Sequence, residues 1–148
     1  MNNFIELINL SKTFIEKKNV KVLKNINYKF KLGKIYSLMG PSGSGKSTLL
    51  NIISLIDKPS NGSIKFQNNL INFNDNQKND LFRANNIGII YQQDNLLTDF
   101  NALENVYLSS LAAGNKKESA LSKAKNILKI VGLSQRIEHY PSELSGGE

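Results

Sequence analysis

The early part of the chain changes its hydrophobic pattern several times. Residues 4–10 (FIELINL) are a short apolar run bounded by polar residues, which predicts a strand. In residues 22–30 (VLKNINYKF), Ile26, Tyr28 and Phe30 alternate with Asn27 and Lys29, the two-residue period of a half-buried strand. Gly33 then punctuates, and residues 34–39 (KIYSLM) predict a buried strand running straight into a group of glycines. The residues that follow, Leu49, Leu50, Ile52, Ile53, Leu55 and Ile56, are apolar almost all round, as in a helix enclosed within a domain.

Asn61 and Gly62 signal a turn, and residues 61–66 (NGSIKF) predict a short strand. Residues 87–91 (IGIIY) form a second continuous apolar run, suited to the middle of a parallel sheet. From Ala102 the period lengthens. Leu103, Val106, Tyr107 and Leu111 line one helical face that ends at Gly114. Ala120, Leu121, Ala124, Ile127, Leu128 and Val131 form a cleaner stripe, with Lys123, Lys125 and Lys129 off it and Gly132 as a stop. Such a stripe reads as the packed face of a helical subdomain and not as a membrane-lying one. The pattern divides the chain into an α/β part over 1–92 and a helical part over 93–148. The asparagines crowded between 68 and 86 read as compositional drift, with no element assigned to them.

Composition narrows the class. At 148 residues and 40% hydrophobic, the chain suffices for one domain-sized core. No apolar run approaches the ~18 residues of a membrane span, and the opening MNNFIE lacks a basic and then apolar leader pattern. The chain is therefore expected neither to cross a membrane nor to be exported. The absence of cysteine excludes disulfide frameworks and thiolate metal sites. His139, in a polar stretch before Pro141, reads as a surface residue. Net charge is +7, and between Lys12 and Lys34 eight lysines face Glu16 alone. Such a patch suits nucleic acid or a membrane surface. No aromatic–basic interleaving or recognition helix accompanies it, so a solvated β face is expected.

Residues 40–48 (GPSGSGKST) carry the chemistry. Gly40, Gly43 and Gly45 permit backbone angles that turn successive N–H groups toward phosphate oxygens, with Pro41, Ser42 and Ser44 between them. A helix beginning there adds its positive end, worth roughly 0.3–1 kcal/mol toward an anion even when exposed. Lys46 is placed for β- and γ-phosphates and the Ser47 hydroxyl for Mg²⁺, with Thr48 completing the motif. The alternative, a glycine turn with an incidental lysine, is disfavoured by the strand–loop–helix context. Hydrolysis also calls for an aspartate ending a second strand. Asp57 closes SLID at the end of the helix after the loop, where it cannot face the metal, and Asp94 lies three residues past its strand. Neither supplies the acid.

A second glycine device stands at 144–148 (LSGGE). Together with LSKTF (10–14), the loop at 40–48 and YQQDNLL (91–97), in this order, it gives the chain a resemblance to the nucleotide-binding domain of an ATP-binding cassette (ABC) transporter. The resemblance covers essentially the whole chain. LSGGE resembles that family's signature motif, with Glu148 where many members have Gln; YQQDNLL resembles its glutamine loop. The resemblance implies an α/β P-loop NTPase fold of the ABC type, with an antiparallel β-subdomain and an inserted helical subdomain. It implies ATP and Mg²⁺ as cofactors, Phe14 stacked on adenine, and Gln92 near Mg²⁺ and the attacking water. It further implies a homodimer in which Ser145, Gly146, Gly147 and Glu148 meet the ATP held by the other copy, with Ser145 capping a helix aimed at phosphate.

Inner-membrane permease subunits are the implied partners, with the chain peripheral on the cytoplasmic face and no direct nucleic-acid partner. Within the family, GPSGSGKSTLLNIIS, the stretch from Tyr91 to Val106 and PSELSGGE look most like the lipoprotein-releasing, LolD-type ATPases. Macrolide-exporter (MacB-type) and peptide-exporter relatives share many of these features; a soluble ABC protein acting on nucleic acid is a second class, and a non-catalytic nucleotide-binding remnant a third. The chain departs from the family at its end. Glu148 precedes the positions of the Walker B strand, catalytic glutamate, D-loop and switch histidine, so no catalytic residue is assigned here. The expectation is a C-terminally incomplete domain.

Overall fold

The computed structural model describes residues 3–15, 19–92 and 95–148. Met1 and Asn2 of the opening stretch, Glu16, Lys17 and Lys18 of the basic stretch, and Gln93 and Asp94 of the glutamine-loop motif lie outside them. Strands β1 (Asn3–Ile15) and β2 (Asn19–Lys31) both run beyond the apolar patterns that foretold them, and they pair antiparallel. On its other edge β1 takes β3 (Asn61–Phe66), and β3 takes the short β4 (Asn69–Leu70), giving an antiparallel sheet in the order β2-β1-β3-β4. Asn9, at φ 50°, breaks the β1–β2 register between Leu7 and Leu10. Its N–H donates to Asn27 Oδ1 (2.9 Å), and Asn27 Nδ2 donates to Asn9 Oδ1 (3.0 Å). This bulge adds one residue to the strand, so Leu7 and Leu10 are both buried despite their odd spacing. Gly62 crosses β1 here so closely that a Cβ would lie 2.4 Å from the Asn9 carbonyl oxygen.

Helix α1 (Lys46–Ile53) follows the glycine loop and buries Leu49 and Ile52. It is shorter and less enclosed than its composition foretold. Ser54 Oγ donates to the Leu50 carbonyl (2.7 Å), Leu55 turns to φ 59°, and Leu50 is 56% exposed. A cavity of about 420 Å³, lined by Leu7, Ile26, Tyr28, Phe30, Leu49 and Ile53 among others, lies beside the helix.

Residues 34–39 are not the buried strand that was expected. Tyr36 is anchored, its hydroxyl accepting from the Lys31 N–H (2.8 Å) and its ring set edge-on to Phe30 with centroids 4.9 Å apart. Ile35, however, is 101% exposed. The same correction applies to residues 87–91, where no strand forms and Ile90 is 100% exposed. Apolar composition makes a run suitable for a sheet, but a strand also needs a neighbour to take its N–H and C=O groups. Among the described residues neither run has one.

The asparagine-rich stretch, to which hydrophobic periodicity assigns no element, contains a helix. Helix α2 (Asn76–Asn86) is started by Asp75, whose Oδ1 accepts from the Lys78 N–H (3.1 Å). The buried Asn79 side chain donates to the Asn72 carbonyl (2.8 Å), and the Asn85 and Asn86 amides bond back to Leu81 and Phe82. The chain forms two compact units, Met1–Asp80 and Leu81–Glu148, with the division falling inside α2. In the second unit α3 (Ala102–Ala112) packs on α4 (Lys117–Ile130). Ala120, Ala124 and Leu128 form the buried face of α4, while Ile127 and Val131 of the expected stripe stay exposed. Gly114 and Gly132 end their helices with positive φ, as expected. Among the described residues no helix is long and apolar enough to cross a membrane.

Two substitutions distinguish true core from unpaired apolar chain. Ile52→Ala should cost about 2–5 kcal/mol in urea unfolding. Ile35→Lys should change stability by no more than about 0.5 kcal/mol while lowering the uptake of an apolar dye.

Candidate phosphate-binding loop and signature turn

The loop at 40–48 is closed by one weak turn bond, Ser44 N–H to the Pro41 carbonyl (3.3 Å). Gly45 then begins α1 at φ 90°, with no side chain capping the helix. The opening N–H groups of α1 consequently have neither an intrahelical acceptor nor a cap, which is the arrangement that attracts an anion. Lys46 folds back over the same loop. Its Nζ donates to the carbonyls of Gly40 (2.8 Å) and Pro41 (2.7 Å), with Ser44 Oγ at 3.5 Å. An ammonium held by loop carbonyls and a hydroxyl can exchange them for phosphate oxygens at small cost, because it gains charge-assisted bonds.

Gly45 is required by space as well as by φ. A Cβ there would meet Val22 Cγ1 at 2.9 Å and Leu23 Cδ2 at 3.0 Å, so the loop lies directly on β2. Across the sheet Leu23 pairs with Lys12, and Val20 pairs with Phe14. The Phe14 ring is 39% exposed and has Lys12 Nζ at 5.0 Å from its centroid. The structure thus brings the loop and the strand neighbour of Phe14 to one stretch of β2.

Ser47 lies exposed in the first turn of α1. Among the described residues no group of three or more His, Asp or Glu side chains gathers as a metal site. Mg²⁺ usually keeps several waters and takes only one or two protein oxygens beside phosphate. A lone accessible hydroxyl at this point fits that role.

The remaining candidates belong to the second unit. Gln92 is exposed, beyond the run 87–91. The segment 97–100 is held on α3 by Asn105, whose Oδ1 accepts from the Leu97 N–H (2.8 Å) and whose Nδ2 donates to the Phe100 carbonyl (2.8 Å). Asn101 and Glu104 close a reciprocal capping box at the start of α3. The N–H groups of Ala102 and Leu103 donate to the carbonyls of His139 (2.8 Å) and Ile137 (3.0 Å). Arg136 precedes that segment and donates from Nε to Glu148 Oε1 (2.8 Å), while Glu148 Oε2 accepts from the Ser145 N–H (2.8 Å). The Glu148 N–H in turn donates to the Ser145 carbonyl (2.9 Å). Residues 145–148 therefore close a single turn, in which the Glu148 side chain reaches back to the Ser145 N–H as the acidic residue of a capping box does.

Comparison with known proteins now bears on these features. A family model described as ABC transporter matches residues 23–148. The chain belongs to the ABC transporter family. It is 41% identical over 148 residues to the lipoprotein-releasing system ATP-binding protein LolD of Rickettsia bellii, covering 99% of this chain and 65% of that protein. A protein of the same name from Saccharophagus degradans is 41% identical over 145 residues, covering 97% of this chain and 64% of its own length. The chain thus spans about 65% of the curated ABC relatives it matches. Among solved structures it resembles the ATP-binding cassette MJ0796, described as a dimer in a post-hydrolysis state bound to ADP and Pi. That match has a TM-score of 0.83 and 38% identity, and covers 97% of this chain and 64% of that one. The α/β ABC fold expected from sequence is borne out by these likenesses.

Sequence reasoning missed Lys12, Asp57 as a structural acid, Val22, Leu23 and Arg136. Each acts on a partner distant in sequence, and no local spacing marks such a pair.

Two measurements probe the geometry. The backbone bond from Ser145 and the Arg136 guanidinium, in that order, lower the Glu148 carboxyl from its usual 4.5 to about 2. A depressed carboxyl stabilises its turn above the ordinary value and loses that contribution as pH falls through about 2. Carbon-detected titration should place Glu148 near that value, and Arg136→Ala should raise it; a titration at the ordinary value in the wild type would contradict the clamp. Gly45→Ala should cost about 1–3 kcal/mol in urea unfolding, from the clash with β2 and the strained φ.

Proposed function

We propose that this chain is the nucleotide-gripping part of an ABC transporter ATPase subunit that binds MgATP and, as part of a complete subunit, hydrolyses it to drive a membrane permease. The observation that carries the reading is the uncapped opening of α1 at Gly45, with Lys46 arched over loop carbonyls that a phosphate can replace. Residues 1–92 serve as the core that grips the nucleotide, and 93–148 as the helical subdomain with the signature turn.

In this reading Gly43, Gly45, Lys46, Ser47 and Thr48 hold the phosphates through backbone N–H groups and the ammonium, and Phe14 offers its ring to adenine. Bound Mg²⁺ supplies charge neutralisation of β- and γ-phosphate oxygens, with Ser47 and Gln92 as its protein oxygens. Ser145, Gly146, Gly147 and Glu148 face the nucleotide of a second copy. Lipoprotein release from the inner membrane is the favoured transport task, supported by the names of relatives at about 41% identity. The subunit would then sit on the cytoplasmic face of that membrane, docked on its permease through the surface from Gln92 to Leu111.

Lys46→Ala should abolish binding of a fluorescent ATP analogue. The 148-residue chain, which carries no second-strand acid or general base, should bind ATP without releasing phosphate. Lys46-dependent phosphate release by the purified chain would sink that part. In a complete subunit, an added charge at Leu97 or Phe100 should uncouple transport while leaving basal ATPase intact. A variant that loses ATP binding along with transport would reduce the segment to a structural role. In a tethered dimer of complete subunits, Lys46→Ala in one half and Ser145→Arg in the other should damage one site and spare the second. Damage to both sites in that arrangement would mean that the signature turn acts within its own chain.

A further inference from the structure

The loop that leaves α1 is fastened to β1 at three successive residues. The Ser60 N–H donates to the Ser11 carbonyl (2.8 Å). Lys12 Nζ donates to Asp57 Oδ1 (2.7 Å) and to the Lys58 carbonyl (2.8 Å). Ser60 Oγ accepts from the Thr13 N–H (3.0 Å) and donates to the Thr13 carbonyl (3.2 Å). Phe14 is the next residue of the strand. The Lys12 ammonium also backs its ring, and the Lys12 side chain is only 11% exposed. At the opposite end of α1, Gly45 lies on Val22 and Leu23 of β2, and Leu23 is the cross-strand partner of Lys12. The helix that opens with Lys46 and Ser47 is thus held at both ends to the strand pair that carries Phe14.

We propose that Lys12 and Asp57 are positioning residues, whose ion pair fixes the distance between the Phe14 ring and the opening of α1 so that one nucleotide is gripped by base and phosphates together. The proposal rests on the reading of 40–48 as an ATP-binding loop. Its physics is that of a bivalent ligand. Two weak grips on one molecule reinforce each other only when the spacing between them is set beforehand, since otherwise ordering them consumes the gain. Lys12 is suited to the task because a nearly buried ammonium keeps its acid partner rather than wandering in water. The three anchor points on consecutive residues leave the 57–60 loop little freedom to slide along β1.

The test compares ATP with inorganic tripolyphosphate, which has no base to engage Phe14, by calorimetry on the purified chain. Asp57→Ala should weaken ATP binding about tenfold and leave tripolyphosphate within roughly twofold, since only the reinforcement between grips is lost. Phe14→Ala should produce the same pattern, and the double variant Asp57→Ala/Phe14→Ala should lose no more than either alone. If ATP and tripolyphosphate weaken together, or if neither changes, the positioning role is overturned. Asp57→Asn keeps an oxygen facing Lys12 and guards against misfolding. Selective weakening of ATP in that variant supports the proposal, and parallel weakening of both ligands overturns it. A wild-type chain that binds neither ligand refutes the phosphate-loop reading itself, a result distinct from parallel loss in the variants.

Discussion

In this sheet β1 has neighbours along both edges, and the rest of the first unit is arranged around that strand. Its early residues, Leu7 and Leu10, belong to the core; its later ones, Lys12 and Phe14, belong to the candidate site. The passage from one to the other takes place at Ser11 and Lys12, where the strand is still buried but already polar. A largely buried ammonium must have an anion or carbonyls to replace its water. Asp57 and the Lys58 carbonyl fill that requirement. For a fully buried pair the loss of one partner costs about 3–5 kcal/mol. Asp57 remains 31% exposed, so the cost here falls lower, at about 1–3 kcal/mol.

What was legible in the sequence was local. The phosphate loop declares itself because glycines, lysine and hydroxyls act within nine consecutive residues, 40–48. The stops at Gly114 and Gly132 are of the same kind, each decided by residues close to it. What stayed illegible depends on partners. Residues 34–39 and 87–91 have the apolar character of strands, yet composition cannot say whether a neighbour is present. Helix α2 was invisible to hydrophobic periodicity because it is organised by Asp75 and by asparagine amides bonding to the backbone. The link between Lys12 and Asp57 spans 45 residues, and the clamp between Arg136 and Glu148 reads as charge pairing only once 137–139 has docked on α3.

The two glycine devices also differ electrostatically. At 40–48 the ammonium and the helix opening are both positive, and the loop's own carbonyls hold the ammonium in place. At 145–148 an acidic side chain stands in the turn, with Arg136 matching its charge. The guanidinium matches the charge of that carboxylate at 2.8 Å, and this is why Glu148 and Arg136 are best regarded as a unit.

The position of β1 in the sheet has a consequence for the order in which the protein can be made. β1 and β2 are joined by a short connection and can pair as soon as both have left the ribosome, but β3 ends only at Phe66. At synthesis rates of about 5–20 residues per second, the free edge of β1 waits a few seconds for its neighbour. During that interval Lys12 has no Asp57, and its ammonium stands in water. A charged lysine on an open strand edge discourages pairing with other chains. The side chain that ties the sheet to α1 is thus also of the kind that keeps an open strand edge from pairing with other chains.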